Sequence, residues 1–250
     1  MALPNLLIVG SQKCGTTWLH ECLRKSSHVF GSTPKELNFF TKKDYLSRRD
    51  EYESHFAGGE DRKWRMESTP HYYQLPDSNR DIAQRIHDML GPDVRLLVML
   101  RDPVERYLSA YIHHMMMGRL PYEELIANPA DQLGLLSLGK YASITRHWQK
   151  LFPNIGIFLY DDLLKDRDAL ISGIMGFLDT ENDITSDQAD FLTNTKDRKI
   201  KRMDISRDWP VMPQLSEDLR RKLAVYYREE VEELQTLVDR DISHWASLNL

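Results

Sequence analysis

The run Val94-Arg95-Leu96-Leu97-Val98-Met99-Leu100 constrains the fold more than any other segment of the chain. Arg95 alone interrupts it, so the strand it predicts is apolar on both faces and belongs in a parallel sheet covered on both sides. Leu6-Leu7-Ile8-Val9 is a shorter run of the same kind, and Trp64 to Glu67 and Ile155 to Tyr160 read as two more strands. Segments with helical spacing lie between them: Trp18 to Leu23, Ile82 to Leu90, Pro103 to about His114, Lys140 to Phe152 and Ala169 to Leu178. Asp102, Pro103 and Glu105 read as the N-cap, first position and capping-box acid of the third of these helices. The βαβα alternation predicts an α/β fold with a central parallel sheet flanked by helices. Gly58-Gly59 and Asn128-Pro129 are turn signals rather than linkers, so a single domain over 1–250 is expected.

Composition narrows the class further. With 41% hydrophobic residues, 28% charged residues and a net charge of −5, the 250-residue chain is neither a disordered tail nor a membrane-spanning protein. Mild acidity argues against general nucleic-acid binding, which needs many phosphates neutralised. Leu6 to Val9 has no basic segment before it and stops at Gly10, which fits neither a signal peptide nor a membrane helix. Cys14 and Cys22 form no zinc-ligand spacing and no disulfide framework, so no metal and a reducing, cytoplasmic setting are expected. Two later features stand out. From Lys196 to Arg207 six basic residues face two acidic ones, which predicts a basic loop; Ser216 then caps a helix carrying Leu219, Leu223, Tyr226, Leu234 and Leu237 roughly on one face.

The chemistry is concentrated in Gly10-Ser11-Gln12-Lys13-Cys14-Gly15-Thr16-Thr17, which links the first strand to the first helix. A glycine-bracketed loop there points backbone N–H groups at one spot, where the helix dipole adds positive potential and holds an anion. The nucleotide-kinase pattern places a lysine directly after the second glycine, but here Thr16 follows Gly15 and the lysine lies inside the loop at Lys13. Mg²⁺-dependent ATP chemistry is thereby disfavoured against other phosphate chemistry, although a kinase or NTPase, or a non-catalytic nucleotide binder, remains an alternative. Arg101 follows the clearest strand, where ligands collect in open α/β sheets, and Ser109 lies two helical turns on. An arginine can fork two hydrogen bonds to a phosphate. Two anion sites suit a nucleotide with phosphates at both ends.

The segments Gly10 to Leu19, Lys35-Glu36-Leu37-Asn38-Phe39-Phe40, Glu67-Ser68-Thr69-Pro70-His71-Tyr72-Tyr73 and Arg101 to Tyr111 together resemble the sulfotransferases that use 3′-phosphoadenosine 5′-phosphosulfate (PAPS). The likeness is to the branch holding the heparan sulfate sulfotransferases and their bacterial relatives, with a P-loop-like nucleotide-binding fold. It implies that Gln12, Lys13, Cys14, Gly15, Thr16 and Thr17 grip the 5′-phosphosulfate, with Trp18 bordering the nucleotide and Lys13 meeting charge on the bridging oxygen. Arg101 and Ser109 correspond to the pair that reads the 3′-phosphate, and Lys196 and Arg198 to a cofactor loop in which Asp197 replaces a glycine. Glu36 corresponds to the catalytic glutamate, and His71 stands as a second base or sulfuryl stabiliser. The heparan enzymes use a lysine from the neighbourhood in which Ser68 follows Glu67 here. The acceptor implied is a hydroxyl or amine on a small molecule, glycan or lipid. One of His113 and His114 is expected to be packed, Met115 to Met117 read as core or as an acceptor pocket, and Tyr141, Trp148 and Trp18 read as core, with Trp18 close enough to the loop to border the nucleotide as well.

Overall fold

The computed structural model of the chain describes residues 3–191 and 209–249, so the expected basic loop with Lys196 and Arg198 lies outside the described residues. The chain forms two compact units, one of residues 1–100 and 146–191 and the other of residues 101–145 and 192–250.

The first unit carries a five-stranded parallel sheet of β1 (Leu6–Gly10), β2 (Val29–Gly31), β3 (Trp64–Ser68), β4 (Arg95–Leu100) and β6 (Gly156–Leu159), in the spatial order β2-β3-β1-β4-β6. β1 is central, and Leu6 pairs with Met66 of β3 on one side and with Arg95 of β4 on the other. Its five residues are all buried, as a two-sided parallel strand requires. On one face Leu6, Ile8, Leu97 and Met99 join a core with Trp18, Leu19, Cys22 and Leu23 of α1 (Thr16–Leu23). The same core takes Leu170, Ile171, Ile174 and Met175 of α7 (Arg167–Phe177), while Leu7, Val9, Leu96, Val98 and Leu100 on the other face are equally shut from water. The chain leaves β1 toward β3 and β2 but later fills the opposite side with β4 and β6, and ligands of open sheets settle outside the carboxyl ends of the strands at such a reversal. Gly10 and the loop after it stand at that point.

α3 (Ile82–Leu90) is capped by Asp81, which accepts from the Gln84 N–H at 3.1 Å, and α6 (Tyr160–Lys165) begins directly after β6. Two shorter helices, α2 (Arg49–Ser54) and α8 (Ser186–Ala189), belong to the same unit. α5 (Tyr141–Gln149) is divided between the two units. Trp148 and Tyr141 are fully buried, as expected of core aromatics.

In the second unit α4 (Pro103–Met116) has the predicted N-cap, Asp102 Oδ1 accepting from the N–H groups of Val104 (2.7 Å) and Glu105 (3.3 Å) with Pro103 in the first turn. The Glu105 carboxylate, however, pairs with Arg101 and Arg220 rather than closing the expected capping box. His114, Met115 and Met116 are buried, whereas His113 is half-buried and Met117 exposed. Short strands β5 (Leu125–Ile126) and β7 (Gln214–Leu215) pair in parallel ahead of α9 (Glu217–Val238), which Ser216 caps through the Leu219 N–H. The buried stripe of α9 runs through Leu219, Leu223, Tyr227, Val231 and Leu234, so Tyr227 replaces the expected Tyr226, which is 44% exposed. Steps of four along the helix keep residue 227 under 223, and its hydroxyl donates to the Leu136 carbonyl at 2.9 Å. Among the described residues no helix is long and apolar enough to cross a membrane.

Candidate active site

The loop between β1 and α1 is built by two glycines that cannot be exchanged. A Cβ on Gly10 would lie 2.3 Å from Tyr73 Cβ, and one on Gly15 would lie 2.9 Å from Tyr160 Cδ2. Gly15 also has φ +89°, a left-handed conformation that L-residues enter only at a cost. Lys13 enters it too, at φ 71°, and such strain in a non-glycine residue persists where the surroundings fix it and is common at functional sites. The Ser11 N–H donates to Met99 O at 2.9 Å and the Cys14 N–H to Ser11 O at 3.3 Å, which folds the loop back over the end of β4.

α1 starts without a side-chain cap. Gly15 has no side chain to accept the first N–H groups of the helix, and the first turn carries no acidic residue. By contrast Asp102, Asp166 and Ser216 cap α4, α7 and α9 with side-chain oxygens. An anion suits a helix start of this kind. Ser11 Oγ and Gln12 Oε1 are buried beside it with no hydrogen-bond partner among the described residues. Lys13 and Thr17 are half-buried. Two side chains beside the loop are engaged by the chain itself, which for Trp18 is the core position expected of it. Trp18 packs in the core with its indole N–H donating to Ala189 O at 3.1 Å, and the Cys14 thiol is buried with its Sγ 3.6 Å from Gln12 O, so the chain itself engages both side chains.

Glu36 lies on a segment tied to the end of β3. Its N–H donates to Ser68 O at 3.0 Å, and both Glu36 (φ 66°) and Asn38 (φ 51°) are left-handed. The carboxylate is exposed and meets Lys35 Nζ at 2.6 Å. Phe39 and Phe40 anchor the segment from below, Phe39 stacking on Tyr52 with ring centroids 3.9 Å apart. Ser68 also joins this segment to α1, because its Oγ lies 2.7 Å from Nδ1 of the buried His20. Burial, aided by Lys35 and Arg24, lowers the His20 pKa to about 3, so the imidazole is neutral. His71 lies half-buried in the turn after β3, where its carbonyl accepts from Gln74 Nε2 at 3.0 Å.

Arg101 and Ser109 belong to the second unit. Arg101 follows directly on β4 and pairs with Glu105 at 3.5 Å, and Glu105 is held on its other oxygen by Arg220 at 2.8 Å. Ser109 is half-buried two turns along α4.

The family profile described as "Sulfotransferase domain" matches residues 3–235, and thus both units. The chain belongs to the sulfotransferase family. It is 31% identical over 194 residues to human heparan sulfate glucosamine 3-O-sulfotransferase 6, covering 73% of this chain and 54% of that protein. It is 32% identical over 175 residues to the membrane-associated sulfotransferase kil1 of Dictyostelium discoideum, covering 65% of this chain and 36% of that one. The chain therefore spans between about a third and about half of the length of these curated relatives. A sulfotransferase structure from Alicyclobacillus acidocaldarius shares the fold, with a TM-score of 0.74 at 23% identity, covering 98% of this chain and 99% of that one.

The chain also carries a buried carboxylate that its sequence did not single out. Glu67, near the end of β3, is shut from water and accepts from Thr69 Oγ1 at 2.8 Å, from Tyr72 OH at 2.7 Å and from Tyr52 OH. Burial pushes its pKa up, against the pull of the three hydroxyls, and burial beside Glu67 holds both tyrosines well above the usual phenol range. The signal was available: a Glu inside a strand of a two-sided parallel sheet must be buried and must find donors.

Proposed function

We propose that the protein transfers a sulfuryl group from PAPS to a hydroxyl or amine of an acceptor in one in-line displacement, without a metal. The acceptor oxygen or nitrogen attacks sulfur, the bond from sulfur to the bridging oxygen breaks, and the electron pair leaves on the phosphate of adenosine 3′,5′-diphosphate. Glu36 takes the acceptor's proton, and His71 stabilises the transferring group. The observation that carries this reading is the uncapped start of α1 behind a glycine-bracketed loop that holds Lys13 left-handed. Backbone N–H groups from Gln12 to Thr17 grip the donor's 5′ end, while Lys13 meets the charge that grows on the bridging oxygen. A cation aimed at charge that develops only in the transition state lowers the barrier more than it tightens binding. Arg101 and Ser109 read the 3′-phosphate, to which a guanidinium can donate two bonds at once. Lys196 and Arg198 complete the donor site. The acceptor belongs to small molecules, glycans or lipids, and a cytoplasmic setting suits the two buried thiols of Cys14 and Cys22.

Single-turnover assays that follow 3′,5′-diphosphate release from labelled PAPS test the reading. Lys13→Ala and Glu36→Gln should each slow turnover by about 10² or more, the size typical of a lost charge stabiliser or general base. Glu36→Gln should bind the diphosphate as the parent does in calorimetry. Full turnover in either variant removes that residue from the mechanism. Activity should also survive EDTA, and its loss on chelation would point instead to Mg²⁺-dependent phosphoryl chemistry.

A further inference from the structure

We infer that Glu67 is a positioning residue whose hydrogen-bond network holds the Glu36 segment in its left-handed conformation; the catalytic half of this inference rests on the role proposed for Glu36. Glu67 is fully buried. Its Oε1 accepts from Thr69 Oγ1 at 2.8 Å and from Tyr72 OH at 2.7 Å. Those same two oxygens accept backbone N–H groups from the Glu36 segment, Asn38 N–H onto Thr69 Oγ1 at 3.2 Å and Phe40 N–H onto Tyr72 OH at 3.3 Å.

The direction of these bonds follows from counting protons. A hydroxyl has one proton and can accept as well as donate, whereas an ionised carboxylate only accepts. Because the N–H groups of Asn38 and Phe40 point at the oxygens of Thr69 and Tyr72, each hydroxyl must turn its single proton away from the segment, and Glu67 receives both. The carboxylate thus fixes two rotors, and the rotors present their lone pairs to the segment. Between the two anchored amides lies Phe39, whose ring stacks on Tyr52, the third donor to Glu67. Just ahead lie Glu36 and Asn38, both left-handed, and the Glu36 N–H is held by Ser68, the residue after Glu67. A left-handed glutamate is costly in isolation, and this one is over-determined by bonds on both sides. Packing alone does not require a carboxylate here, since an apolar residue of the same shape would avoid the cost of burying a charge. What the carboxylate adds is orientation.

Two matched tyrosines separate positioning from mere stability. Tyr72 connects Glu67 to the segment through its hydroxyl, while the Tyr52 hydroxyl meets Glu67 on the opposite carboxylate oxygen. In hydrogen exchange on the full chain, Tyr72→Phe should speed exchange of the amides in 36–42 about tenfold or more while β1 and β4 stay protected, as expected of a local opening. The same variant should lower the rate of 3′,5′-diphosphate release about fivefold or more with donor KM within about twofold, the pattern of a misplaced catalytic group. Tyr52→Phe should leave both readings within about twofold, whereas Glu67→Leu, which removes the acceptor of both rotors, should move both in the direction of Tyr72→Phe. Unchanged exchange in 36–42 for Tyr72→Phe, or faster exchange spread equally over β1 and β4, overturns the tether. Faster exchange with an unchanged rate overturns its positioning role. Full activity of Glu36→Gln would instead overturn the base assignment, and the exchange pattern would still decide whether the tether exists.

Discussion

His20 gives the sharpest residue-scale prediction because its chemistry is set by burial. Its folded pKa of about 3 lies below the ordinary value of 6.5, so the unfolded chain binds more protons between these limits and stability must fall as pH drops through that window. Thermal unfolding followed from about pH 7 to about pH 4 should show that loss, and His20→Asn should flatten it, since an amide can still meet Ser68 but takes up no proton. An unchanged slope in the variant would show that His20 is not the group responsible. Glu67 should act oppositely. Its raised pKa means that the folded state holds the proton more tightly, so stability falls as pH rises from the ordinary glutamate value toward the folded one, and Glu67→Gln should remove that component. At this scale the sequence was legible where a residue type fits one role, as with Gly10 and Gly15 around the loop. It was silent about backbone conformation. Nothing in the letters shows that Lys13, Glu36 and Asn38 are left-handed, because tertiary hydrogen bonds impose that state against their own preference.

Elements are read well where a local rule and the tertiary fold agree. Ile82–Leu90 is found as expected, and the start of α4 follows from Asp102 and Pro103 alone. Asp102 does more than a cap, because its Oδ2 also accepts the Ala246 N–H at 2.6 Å near the end of the chain. Asp102→Ala should therefore cost about 2 kcal/mol or more, beyond the usual loss of a cap, and Asp102→Asn, which keeps an acceptor for the helix, should cost less. Chemical denaturation of the two variants checks the order, and equal small losses would show that the Ala246 bond adds nothing. The short helices α2, α6 and α8 were not read from the sequence, nor were three strands with little local signal. β2, β5 and β7 are three, two and two residues long, too short for alternation to register, and each exists through the strand beside it. The Tyr226 assignment on α9 failed for a related reason: adjacent tyrosines both fit an apolar stripe, and the partner at Leu136 decides which one turns inward.

For the whole chain, alternation of strands and helices implied a parallel sheet but could not order it. The order β2-β3-β1-β4-β6 depends on which strand each crossover returns to, and only the packed structure records that. Its consequence is the placing of the β1 loop at the reversal of strand order, which makes ligand binding a property of the folded molecule and lets unfolding report on it. A ligand that binds only the folded chain stabilises it by about 2.7 kcal/mol at about a hundred times its Kd. For a chain of this size that amounts to a rise in Tm of roughly 5–10 °C. Adenosine 3′,5′-diphosphate should produce such a rise, and adenosine 5′-monophosphate, which lacks the 3′ group, a smaller one at equal concentration. Arg101→Ala should reduce the response to the diphosphate while leaving that to the monophosphate unchanged, because only the 3′-phosphate is assigned to the guanidinium. The variant should fold, since Glu105 keeps its shorter bond to Arg220 at 2.8 Å when Arg101 is removed. Equal loss for both nucleotides would mean that Arg101 acts on the fold or on the 5′ end, and an undiminished diphosphate response would remove it from the donor site.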